Sequence, residues 1–165
     1  GVDIVSFGAS KNGALACEAV VFFDKAHCAT MPFQRKRSGH TLSKGRLLGA
    51  QMCAYLEGGH WIANARHANA MAQRLASGLA GLPGVRLPWP TQANEAFAVI
   101  PAGMDAALTA AGFGRAPWAS ESLPEGFSIG PGEIFVRWVT SFATREADID
   151  GLVRLAVEKA VASQP

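Results

Sequence analysis

The apolar positions fall first into two short runs. Val2 to Phe7 carries Val2, Ile4, Val5 and Phe7, and Ala19 to Phe23 is richer still in β-branched and aromatic side chains. Runs of this length read as buried strands, since both are too short for a helix. Between them lies Gly8-Ala9-Ser10-Lys11-Asn12-Gly13, whose composition predicts a turn and places Lys11 just beyond a strand end. The pattern therefore predicts a hairpin. A lone hairpin is only marginally stable in water, so further strands are expected beside it, supplied by chain upstream of Gly1.

The periodicity then becomes helical. Ser43 is placed to cap a helix running through Leu47, Leu48, Gln51, Met52, Tyr55 and Leu56, with Gly58-Gly59 interrupting it. From about Trp61 to Leu79, the positions Ala65, Ala68, Ala72, Leu75 and Leu79 form a stripe of mostly small residues suited to close packing, and Gly81 with Pro83-Gly84 stops the helix. Strands are expected at Val85–Leu87, at Ala96–Ile100 and from Ile134 to Phe142, with a helix from Met104 to Ala111. Residues 114 to 133 hold Pro117, Pro124 and Pro131 among several glycines and read as a long loop, itself a functional hint or an insertion. Thr144 is expected to cap a last helix with an apolar stripe through Ile149, Leu152, Val153, Ala156, Val157 and Ala160. This gives an α/β chain, divided at about 57/58 into the end of a larger domain and a small α+β domain.

Composition narrows the class. The 165 residues are 49% hydrophobic and 17% charged, apolar enough to expect a surface that packs on more protein. Fifteen basic and 13 acidic residues leave a net charge of +2, too even for a nucleic-acid binder or a polybasic membrane anchor. Cys17, Cys28 and Cys53 form no CxxC pair, and no apolar run is long enough to span a bilayer, so a soluble cytoplasmic protein is expected. The one dense basic run, Arg35-Lys36-Arg37, reads either as a solvated turn or as an anion-facing loop.

A lysine among small residues at a strand end is a candidate nucleophile, because burial lowers an amine's pKa and frees it for imine formation. Ser6-Phe7-Gly8-Ala9-Ser10-Lys11-Asn12-Gly13, Glu18 to Phe23, Arg35 to Lys44 and Arg137-Trp138-Val139-Thr140-Ser141-Phe142, taken together, resemble the low-specificity threonine aldolase and phenylserine aldolase group. That resemblance implies the aspartate-aminotransferase-like fold type I, of which this chain would supply the end of the large domain and the small C-terminal domain. It implies that Lys11 carries pyridoxal phosphate (PLP), with Ser10 and Lys36 near the cofactor, and that Arg137 binds the substrate's α-carboxylate through its rigid fork. His40 is expected to face the same pocket. Ser43 stands where some relatives have arginine, which leaves Ser43 and Lys44 without an implied role. His60 and His67 lack a third ligand for a metal, and the four tryptophans read as packing residues.

The implied reaction is cleavage of a β-hydroxy-α-amino acid into glycine and an aldehyde by a homodimer or homotetramer. Other cofactor contacts of the family lie before the lysine, so the missing N-terminal half is an expected partner and the chain alone is expected to be inactive. Two alternatives stay open: a β-eliminating fold type I lyase, or a non-catalytic interaction module derived from such an enzyme.

Overall fold

The computed structural model describes residues 1–162, which form two compact units, one over Gly1–Asn64 and one beginning at Ala65. In the first, strands β1 (Ile4–Gly8) and β2 (Glu18–Phe22) pair antiparallel with Ser6 opposite Val20 and Gly8 opposite Glu18. The hairpin is as expected, but its burial is not. Ile4, Val20, Val21 and Phe23 are 47%, 59%, 39% and 66% exposed, so within this chain the ribbon is covered only in part. That cover is a small cluster around Ala9, Cys17 and Tyr55, against which Phe7, Leu48, Met52 and Trp61 pack.

A helix that the periodicity did not announce, α1 (Met31–Arg37), has proline in its first turn, where no N–H is missed, and Arg35, Lys36 and Arg37 in its last, where cations meet the negative end of the helix dipole. The basic run is thus a helix end rather than a turn. Helix α2 (Gly45–Leu56) starts after Lys44 and has no side-chain cap, so Ser43 does not cap it. Gly58, at φ +61°, breaks the backbone before α3 (His60–Leu79).

The second unit is a three-stranded antiparallel sheet with the order β3 (Glu95–Pro101), β5 (Glu133–Val139), β4 (Ala116–Pro117). Helix α4 (Ala102–Ala110) follows β3, and α5 (Glu146–Ala162) closes the described chain. Strand periodicity sorts the sheet's residues into two faces. One presents Ala96, Ala98, Ile100, Val136 and Trp138 to a core shared with Leu75, Leu79, Leu108, Ile149, Leu152 and Ala156 from the helices. The other carries Phe97, Phe135 and Arg137.

Four expectations need correction. Val85–Leu87 makes only one bridge, Arg86 to Val99. The 114–133 segment contains β4 and a short 3-10 turn at Ser120–Ser122 and so is not wholly irregular. Thr144 Oγ1 accepts from the Ser141 N–H at 2.9 Å, closing the turn before α5, and Val157 lies outside the buried stripe at 39% exposure.

Close helix packing is most demanding at Gly78 in α3. A Cβ built there would lie 2.6 and 2.8 Å from the two γ-carbons of Val153 in α5. Valine is stiff at χ1 and does not swing aside, so overpacking of about 1–3 kcal/mol outweighs the roughly 1 kcal/mol gain in helix propensity for alanine over glycine. Gly78→Ala is expected to lower the thermal midpoint, and Gly78→Ala with Val153→Ala to recover most of the loss. A stabilised single variant in differential scanning calorimetry would contradict this packing.

Candidate active-site residues

Strand β1 ends at Gly8, and the chain turns through a 3-10 segment, Ser10–Asn12, before Gly13 adopts φ +119°. The turn is anchored from both sides. Ala9, fully buried, donates its N–H to Cys17 O at 3.0 Å and accepts from Asn12 N and Ala14 N. The Asn12 amide donates to the Tyr55 hydroxyl at 2.6 Å and to Trp61 O at 2.9 Å, while Asn12 O accepts from the Asn64 side chain at 2.8 Å. A Cβ at position 13 would meet Asn64 Nδ2 at 2.7 Å. Glycine is therefore required there twice, by conformation and by space.

Lys11 projects from this fixed turn into solvent and makes no hydrogen bond or ion pair among the described residues. Burial was the expected source of its reactivity, and in this chain the side chain is exposed. The amine has a constrained base and an unrestricted tip. Ser10 beside it accepts from Cys17 N at 3.2 Å, leaving its own hydroxyl proton available for donation.

Lys36 and His40 are both exposed, Lys36 in the last turn of α1 and His40 three residues past its end. The His40 backbone carbonyl accepts from Arg35 Nε at 3.0 Å. No hydrogen bond or ion pair joins either side chain to Lys11 among the described residues, so the structure does not bring these three together directly. An open concavity of about 800 Å³ flanks the turn instead, lined by Gly13, Leu15, Gln51, Tyr55, His60 and Asn64 among others. Gln51 shapes its floor, accepting from both Leu15 N and Ala16 N at 3.0 Å.

Arg137, in the second unit, is the middle residue of a row across the sheet, opposite Phe97 on β3 and Ala116 on β4. Its side chain is only 24% exposed, so it is not a solvent-face arginine. One terminal nitrogen, Nη1, donates to Glu95 Oε1 at 3.1 Å, and the guanidinium carbon lies 4.0 Å from the centroid of the Trp118 ring. Nε is buried and has no partner. A buried donor without an acceptor costs about 1–3 kcal/mol, and no acceptor for this one is found among the described residues.

Sequence reasoning missed Asn12, Tyr55, Asn64, Glu95 and Trp118. Asn12-Gly13 was visible only as a turn dipeptide, and the Glu95–Arg137 pair depends on strand register.

Sequence and fold also match known proteins. The Beta-eliminating lyase family matches residues 1–102. The chain belongs to that family. Two low-specificity L-threonine aldolases resemble this lyase-family chain. The one from Pseudomonas sp. (strain NCIMB 10558) is 40% identical over 97 residues, and that from Pseudomonas aeruginosa 36% over 113. These stretches are 59% and 68% of this chain but only 28% and 33% of those proteins, so the chain spans about a third of their length. A solved structure titled as an initial structural analysis of Leishmania major threonine aldolase superposes with a TM-score of 0.84 at 26% identity, over 96% of this chain and 43% of that one. The α/β architecture is that of fold type I PLP-dependent lyases. No helix among the described residues is long and apolar enough to cross a membrane.

The residues present fit the aldehyde end of PLP. Covalent attachment needs a reachable primary amine on a rigid base, and Lys11 meets both conditions through its exposure and the Asn12 clamp.

Proposed function

We propose that this lyase-family chain is the lysine-bearing part of a PLP-dependent aldolase that cleaves a β-hydroxy-α-amino acid, of the threonine or phenylserine type, into glycine and an aldehyde. One observation carries the proposal: an exposed, unpartnered amine at Lys11 stands on a turn fixed by the Asn12, Tyr55, Trp61 and Asn64 hydrogen bonds. Lys11 would hold the cofactor covalently, with Ser10 and Lys36 contributing a hydroxyl and a cation to its polar groups. Bound PLP supplies an electron sink for the pair released when the Cα–Cβ bond breaks.

The chain's own residues do the rest of what can be assigned to them. Arg137 would fix the substrate carboxylate, and with it the orientation of Cα. The β-hydroxyl proton leaves to a base outside the residues assigned here, the β-carbon becomes the aldehyde carbonyl, and Cα takes a proton to give glycine. His40 is assigned to the substrate side of the pocket. On this reading residues 1–57 end a PLP-binding large domain, 58–165 form the small domain, and the intact enzyme is a cytoplasmic homo-oligomer.

Product analysis tests the reaction. The 165-residue chain by itself is expected to show no turnover. Joined to the part of the Pseudomonas aeruginosa relative that precedes the matched stretch, it should release glycine and aldehyde in equal amounts from threonine or phenylserine. Ammonia and a 2-oxo acid in place of glycine would replace this reading with β-elimination, the second reading favoured by the name of the matching family.

A further inference from the structure

The face of the second unit's sheet that carries Arg137 is covered by aromatic side chains rather than by helices. Trp89 packs edge-on against Phe97 at 5.2 Å between centroids, Phe97 packs against Phe135 at 6.2 Å, and Trp118 meets Phe97 edge-on at 5.7 Å. Trp118 is the outermost of these and the one that lies under the guanidinium.

Its placement does not depend on the loop alone. Just before it, Ala116 and Pro117 pair with Arg137 and Val136, and Trp118 N donates to Phe135 O at 3.2 Å. Arg115, one step earlier, makes a two-pronged contact to Asp105 of α4 at 2.7 and 2.5 Å, and Asp105 is buried. The segment that reads as a proline- and glycine-rich loop is therefore pinned to the sheet at the residues flanking the tryptophan.

Three constraints then act on one side chain. The ring of Trp118 restrains the guanidinium plane, Glu95 holds Nη1, and the sheet fixes the stem. Among the described residues neither Nε nor Nη2 has an acceptor; Nε is closed to solvent in the unliganded chain, which leaves Nη2 as the donor a ligand can reach. A donor held in the guanidinium plane fixes the direction from which a carboxylate oxygen is received. An arginine free to rotate would lose much of this advantage to side-chain entropy.

We propose that Trp118 is a positioning residue that holds the Arg137 guanidinium in a fixed plane for a substrate carboxylate, with Glu95 occupying Nη1. The proposal rests on the reading of Arg137 as the carboxylate site. Stacking on a partly desolvated ring is worth enough to set the affinity by about tenfold.

The test follows the Arg137 Nε–H resonance by 15N NMR while glycine is added, in the chain joined to the part of the Pseudomonas aeruginosa relative that precedes the matched stretch, with thermal melts recorded in parallel. In the unchanged chain the resonance should move in a saturable way. In Trp118→Ala the apparent Kd should rise about tenfold, and Trp118→Phe, which keeps an aromatic face, should restore it to within about threefold at an unchanged melting midpoint. Unaltered affinity in Trp118→Ala, with the Arg137 resonance still responding, would overturn the positioning role and leave the carboxylate site standing. A Trp118→Phe chain that folds normally but binds as weakly as Trp118→Ala would also overturn it. If the resonance ignores glycine in the unchanged chain, the assignment of Arg137 itself fails, and with it the inference.

Discussion

Lys11→Arg should abolish covalent cofactor capture while leaving the fold untouched. The substitution keeps the positive charge but replaces the primary amine with a guanidinium, which forms no imine with an aldehyde under ordinary conditions. Lys11 is exposed and has no partner among the described residues, so stability should change by no more than about 0.5 kcal/mol. The Asn12 clamp involves the Asn12 amide and backbone, not the lysine side chain, and should persist. With the remainder of the enzyme supplied from the Pseudomonas aeruginosa relative, borohydride reduction in the presence of PLP should fix about one cofactor per chain, on Lys11, and Lys11→Arg should lose it together with at least about a thousandfold in turnover, because a positioned amine acts at a very high effective concentration.

The isolated chain should behave differently. There Lys11, Lys25, Lys36 and Lys44 are all exposed and equally reachable, and labelling is expected to spread among them. Peptide mapping by mass spectrometry reads both cases. Equal spread in the joined enzyme would remove Lys11 from the cofactor site.

That contrast also marks where the sequence was informative. The hairpin, the Gly58 break, the α3 helix and strands β3 and β5 follow from local signals: apolar runs of strand length, a glycine pair, a stripe of small residues. Burial of the hairpin did not follow, because Ile4, Val20 and Phe23 announce an apolar partner without saying whether this chain provides it. Ser43 and Thr144 satisfied the composition rule for helix caps, yet the helices begin at Gly45 and Glu146, and the Thr144 hydroxyl instead serves the preceding turn. The candidate site divided in the same way. Lys11 and Arg137 stood out through a motif resemblance. Asn12, Glu95 and Trp118 did not, since what each does depends on which residue the fold places opposite it: Tyr55 is 43 residues from Asn12, and Glu95 is 42 from Arg137.

Arg137→Lys separates what the arginine does for the fold from what it does for a ligand. In the unliganded chain its contributions nearly offset. The Glu95 contact is partly solvated and worth about 0–1 kcal/mol, and stacking on Trp118 adds roughly 0.5–2 kcal/mol. Against these stands the buried Nε–H with no acceptor, a cost of about 1–3 kcal/mol. Lysine has no N–H at that position, so the substitution removes the penalty along with the gains, and unfolding free energy should move by less than about 1 kcal/mol in either direction. Carboxylate binding has no such compensation. A single ammonium cannot reproduce two parallel hydrogen bonds in a fixed plane, and losing a charge-assisted pair of this kind costs about 1.5–3 kcal/mol, so the Kd for glycine should rise by roughly 10- to 100-fold. Equilibrium denaturation and NMR titration on the same two proteins measure both quantities. A large loss of stability with unchanged binding would make Arg137 a structural residue of the sheet and vacate the carboxylate site, whereas little change in folding with a large one in binding is the pattern expected of an arginine that serves a ligand.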